Sequence, residues 1–134
     1  MPVTRRALRD ASGRPDRQAD LLDTLATDAA AGSEEALDTL LWAVDKLALG
    51  RGVVQRLVLN ESDVDDVSQD VLVAVAETIG SFRGDARFTT WLHQVARFKA
   101  IAHLRRKRDE TAIDDDRHDI PDAQRVSSML AGQM

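Results

Sequence analysis

The sequence contains no cysteine and no tyrosine, three prolines, and five aromatic residues in 134 positions. Without cysteine there is no disulfide and no thiolate chemistry, and such a chain suits a reducing compartment. The amino terminus, MPVTRRALRDASGRPDRQAD, has no apolar core of the kind a signal peptide needs. No run approaches the roughly 20 apolar residues that cross a bilayer. The expectation is a soluble, cytoplasmic protein with no membrane insertion. Signatures of catalysis are missing too. There is no P-loop and no G-x-S-x-G, and His93, His103 and His118 do not share a helix face. No carboxylate–histidine spacing marks a metal site. The chain reads as a binding protein, not an enzyme, with no catalytic residue, no metal and no cofactor.

What is present is charge, and its arrangement matters more than its sum. The formal net charge of −5 disfavours a polyanionic partner at first sight. Yet Arg97, Lys99, Arg105, Arg106, Lys107 and Arg108 follow one another with no acid between them. From Asp109 to Asp122 the acids Asp109, Glu110, Asp114, Asp115, Asp116, Asp119 and Asp122 face Arg117 alone. Screening cuts off distant charge beyond about 8–10 Å, so a polyanion responds to the local basic field. A nucleic-acid partner is therefore compatible with the acidic total.

Apolar spacing points to an all-α domain, a small orthogonal bundle of three to four main helices. Residues 1–18 lack periodicity and are expected to form a flexible arm. Leu21, Leu22 and Leu25 edge a helix over 19–31, which Gly32 breaks. Ser33 is placed to cap the next helix, where Leu37, Leu40, Leu41, Val44 and Leu47 recur at helical spacing. The GRG at 50–52 is a kink or a short break. Ser62 is expected to cap a helix over about 63–79, with Val64, Val67, Val71, Val75 and Ile79 as its buried stripe and Gly80 after its end. Thr89 or Thr90 is expected to cap a last helix reaching about Arg108. The domain is thus assigned to residues 19–108 and an acidic linker to residues 109–134.

Two faces and a loop draw attention. Opposite the valine stripe, a turn of 100° per residue gathers Asp66, Gln69, Asp70, Val73 and Glu77. This is either a solvated face or a docking surface whose carboxylates and amide meet basic side chains. On the last helix Trp91, Val95, Phe98 and Ala102, with Leu92 at their edge, are expected in the core. His93, Gln94, Arg97, Leu104 and Arg108 lie opposite. Its basic end either complements the helix macrodipole or attracts phosphates. In the stretch FRGDARFTTWL, Phe82 and Phe88 bracket a glycine turn between Arg83 and Arg87. The rings either stack on bases or staple the loop to the core.

The ordered pieces DVDDVSQDVL, SFRGDARFTTWLHQVAR and LRRKR resemble region 2 of bacterial sigma factors, specifically the extracytoplasmic-function group. The resemblance covers about residues 20–108. It implies a transcription initiation domain that binds core RNA polymerase, recognises the −10 promoter element and helps melt it by capturing non-template bases. It implies that Asp66, Gln69, Asp70 and Val73 dock on the β′ clamp helices. It implies DNA contacts by the loop residues Phe82, Arg83, Gly84, Asp85, Arg87 and Phe88, and by Gln94, Arg97, His103, Arg105, Arg106 and Arg108 on the helix behind. An anti-sigma factor is a further implied protein partner. The sequence departs from the family at Phe98 and Ala102, where an Asn and an Asp are common. No helix-turn-helix pattern follows Arg108, so region 4 is expected to be absent or only begun. The competing reading is a module held by polymerase or an anti-sigma factor without DNA readout of its own.

Overall fold

The computed structural model describes residues 2–115, and among them every regular element is helical. The order is α1 (Arg5–Asp10), α2 (Pro15–Ala30), α3 (Glu34–Lys46), α4 (Arg51–Leu57), α5 (Glu61–Thr78), a 3₁₀ turn (Ile79–Ser81) and α6 (Phe88–Asp115). The long helices α2, α3, α5 and α6 make the bundle expected from the apolar spacing. Sites in the acidic tail beyond residue 115 lie outside the described residues.

Local chemistry sets most helix starts. Ser33 Oγ accepts from the Ala36 N–H at 3.1 Å, as expected. The cap of α5 is Asn60 rather than Ser62. Its Oδ1 accepts from the N–H groups of Ser62 (2.9 Å) and Asp63 (3.3 Å), so the helix begins two residues earlier. Both residue types cap well, and the first to reach two free N–H groups wins. Pro15 opens α2 at a position where its missing N–H costs nothing.

The ends of α2 and α3 share one geometry. After α2, Ser33 N–H reaches the Asp28 carbonyl and Gly32 N–H reaches that of Ala29, with Gly32 at φ 109°. After α3, Leu49 N–H reaches Val44 and Ala48 N–H reaches Asp45, with Ala48 at φ 53°. Both are left-handed Schellman stops, but the second uses an alanine where glycine is favoured. Gly50 then turns the chain again at φ 80° into α4, so GRG is a true break. A Cβ on Gly50 would stand 3.5 Å from Leu92 and 3.6 Å from Ala96, ordinary contact distances. Its backbone angle, not crowding, calls for glycine.

Gly80 is not a left-handed stop. It sits within the 3₁₀ turn, where Phe82 N–H bonds to the Ile79 carbonyl, and buried Ile79 and Phe82 pull the turn inward.

The flexible arm is also corrected. Thr4 Oγ1 caps α1 through the Ala7 N–H, Leu8 is fully buried and Ala11 is 3% exposed. Burying one leucine contributes about 1.5–3 kcal/mol, enough to hold a six-residue helix that would not persist alone.

Helix α6 lies against α2, α4 and α5, while α5 also meets α3 and α4, α2 packs on α3, and α1 rests on α3. The valine stripe is buried as read, with Val64, Val67, Val71, Val75 and Ile79 in one core. On α6 the buried stripe is rotated from expectation. Phe88, Leu92, Val95, Ala96 and Ala100 are interior, whereas Trp91, Phe98 and Ala102 are only half-buried. Contact on several sides selects the smaller side chains for the closest approach. With no proline or glycine between residues 88 and 115, α6 also runs past Arg108, so the helix crosses the expected domain boundary.

Candidate functional site

With the valines turned inward, α5 presents Asp66, Gln69, Val73 and Glu77 to solvent, Val73 at 55% exposure. Asp70 is half-buried, and its Oδ2 stands 3.6 Å from Arg106 Nη2 of α6. Beside this face runs a groove of about 440 Å³. Asp65, Asp66, Ser68 and Gln69 form one wall, and the α3–α4 turn from Ala48 to Arg51 forms the other. Arg51 Nη2 bridges Glu61 Oε1 (2.9 Å) and Asp65 Oδ1 (2.8 Å) across the groove's end. Those carboxylates, Asp65 first, raise the guanidinium's pKa, so Arg51 stays charged. Ser68 Oγ is buried with no hydrogen-bond partner among the described residues.

The aromatic cluster resolves in favour of the staple. Phe82, Phe88 and Trp91 form a triangle with ring centroids 5.8–6.1 Å apart. Phe88 is fully buried and Phe82 is 7% exposed, so neither presents a face to a base. Both are corrected from DNA-contact residues to core residues; their rings gain more from burial than from waiting in solvent. Residues 83–87 are exposed, with Gly84 at φ 78°. A cavity of about 180 Å³ opens between this loop and α6, where Arg83, Asp85, Thr90, Trp91 and Gln94 meet.

The loop ends on a contact that local sequence did not reveal. Asp23 of α2 accepts the Phe88 N–H through Oδ1 at 2.8 Å, capping α6 from another helix. Neither Thr89 nor Thr90 is the cap. Asp23 Oδ2 (3.1 Å) and Asp20 Oδ1 (3.0 Å) hold Arg87 Nη1. These bonds, that to Asp20 first, raise the Arg87 pKa. Arg87 is thus already occupied by carboxylates, and a phosphate would have to displace them.

On α6 the expected DNA-contact residues divide. Gln94, Arg97, Arg106 and Arg108 are exposed, and Arg105 is half-buried. His103 is not on that surface. Its side chain is 12% exposed, with Nε2 3.5 Å from Asp63 Oδ1 and without a hydrogen bond. Lys107 Nζ donates to Asp63 Oδ2 at 2.7 Å. That bond holds the Asp63 carboxyl below the ordinary carboxylate range against the opposing cost of burial. It raises the Lys107 pKa in turn. Asp63, Asp20, Asp23 and Arg51 are therefore the organising residues missed in the sequence. Their partners are ten to 67 positions away, a separation with no periodic signal. Arg83, Arg97 and Arg108 make no ion pair among the described residues.

The acidic face of α5, the loop and the basic start of α6's second half all fall in one segment. Residues 46–110 match the family model described as sigma-70 region 2. The chain contains a sigma-70 region 2. It is also 33% identical over 73 residues to the RNA polymerase sigma-H factor of Pseudomonas aeruginosa. That alignment takes in 54% of this chain and 37% of the relative, so the chain spans little more than a third of that factor. No solved structure matches. The region 2 segment includes α4, α5, the loop and α6 to residue 110, and leaves α1, α2 and all of α3 but Lys46 outside it. Among the described residues no helix is long and apolar enough to cross a membrane.

Proposed function

We propose that this region 2 belongs to an extracytoplasmic-function sigma factor and serves transcription initiation by binding, without bond-making chemistry. Asp66, Gln69, Asp70 and Val73 dock on the β′ clamp helices of core RNA polymerase. The loop and α6 capture non-template bases of the −10 element. One coincidence carries the reading: the matched segment holds both an exposed carboxylate–amide face and, after α5, a small cavity rimmed by Arg83, Asp85 and Gln94 beside a half-buried tryptophan.

Capture works by population shift. A base exposed by transient opening enters the cavity between Arg83 and Gln94, where Trp91 offers an edge for stacking and Asp85, Thr90 and Gln94 offer hydrogen bonds. Arg97, Arg105, Arg106 and Arg108 supply phosphate attraction along α6. Phe82 and Phe88 hold the loop in place from within.

A pull-down with core polymerase, followed by binding of a labelled −10 non-template strand to the complex, tests both halves. Asp66→Ala combined with Asp70→Ala should cut polymerase recovery at least tenfold. Arg83→Ala should leave recovery unchanged and weaken the strand. If no −10 strand binds even on the polymerase complex, DNA capture is wrong and the domain is a protein-interaction module.

A further inference from the structure

The amino-terminal helix lies outside the segment matched to the family and outside both surfaces just described. From residue 5 to residue 17 the chain carries Arg5, Arg6, Arg9, Arg14 and Arg17 against Asp10 and Asp16. All five arginines are exposed, and none pairs with a carboxylate among the described residues. In the same chain Arg51, Arg87, Arg106 and Lys107 are paired with carboxylates. Two of the five are also ordered. The Cζ atoms of Arg5 and Arg9 lie 5.3 Å and 5.1 Å from the ring centroid of Trp42 on α3. Asp38 and Asp45, one turn either side of Trp42, form no ion pair with either arginine.

We propose that α1 and the start of α2 are a second nucleic-acid contact, one that grips the sugar–phosphate backbone without reading sequence. A guanidinium resting on an indole keeps its N–H edges free for phosphate oxygens. Stacking also fixes the side chain before binding, which lowers the ordering cost. Arg5 and Arg9 sit four residues apart, about 6 Å along the helix, and so present two forks side by side. An acidic protein surface is the competing occupant. Protein interfaces, however, are built around an apolar centre. The exposed large apolar residues Leu59, Val73 and Leu104 all lie elsewhere in the chain. A backbone contact needs only cations.

The test is the salt dependence of binding between the full chain and a labelled single strand of mixed sequence, without polymerase. This keeps the outcome independent of −10 recognition. Each lost phosphate contact on a single strand lowers the slope of log K against log salt by about 0.7, so Arg5→Ala with Arg9→Ala should lower it by about 1.4. The wild type's advantage should shrink roughly sevenfold between 50 and 200 mM salt. Arg14→Ala with Arg17→Ala, which leaves α1 and Trp42 untouched, should lower the slope similarly and guards against misfolding of the first variant. Circular dichroism checks both folds. An unchanged slope in both folded variants overturns the proposal. So does a loss confined to polymerase binding in the absence of DNA, which would make the patch a protein contact.

Discussion

Asp23 joins α2 to the junction between the loop and α6, and replacing it isolates what holds that junction. In Asp23→Ala the Phe88 N–H loses its acceptor at 2.8 Å in a partly buried position. Loss of a helix cap costs about 0.5–2 kcal/mol, and an orphaned buried donor costs about 1–3 kcal/mol; these describe one event and do not add. A destabilisation of about 1–2 kcal/mol is expected. For a domain of this size the Tm should fall by roughly 5–10 °C. The bond to Arg87 is solvent-exposed, so salt should weaken it and leave the cap intact. Asp23→Asn separates the two, because asparagine caps as well as aspartate but carries no charge. It should retain most of the lost stability. Thermal melts of wild type, Asp23→Ala and Asp23→Asn at low and high salt make the comparison. If Asp23→Asn is as damaging as Asp23→Ala, or the alanine deficit disappears in high salt, the ion pair and not the cap holds the junction, and the reasoning fails.

Other consequences are open to direct measurement. Ala48→Gly should stabilise by about 0.5–1 kcal/mol, because Ala48 pays for its φ of 53° and glycine's larger unfolded-state entropy returns only part of that. Urea titration should show a higher midpoint at constant m-value; a lower midpoint would contradict it. Phe88→Ala should cost about 3–5 kcal/mol, since the ring is fully buried, so its effect on DNA binding should track unfolding measured by circular dichroism. Asp63 has its carboxyl pKa depressed by Lys107, so its contribution is fully present above the ordinary value near about 3.9 and is lost as pH falls through the lower folded value. Acid melts of Asp63→Asn should therefore decline less steeply below about pH 4 than those of wild type, and parallel curves would remove Asp63 from the account.

The helices of this protein were largely legible in its sequence. The spacing of Val64, Val67, Val71 and Val75 named the buried face of α5, and by elimination its exposed acidic face. Helix geometry is local, so a period of 3.6 residues carries it. The boundaries were less legible. Asn60 overtook Ser62 as a cap, and α6 continued past the charge reversal at residue 109. Neighbouring residues with similar propensities compete there, and small differences in reach decide.

The site divides along the same line. Sequence alone determined that a basic helix follows a glycine-turned, arginine-bearing loop, and that an acidic face precedes it, because each is a property of contiguous residues. Only the tertiary structure decided which of those residues remain available. Phe88 went to the core, Arg87 to Asp20 and Asp23, and His103 to the lee of Asp63. It also recruited α1, leaving Arg5 and Arg9 on Trp42, from a stretch with no periodic pattern. These outcomes depend on pairings between residues up to 67 positions apart. Such pairings arise when packing brings two surfaces within a few ångströms, and no local pattern encodes them.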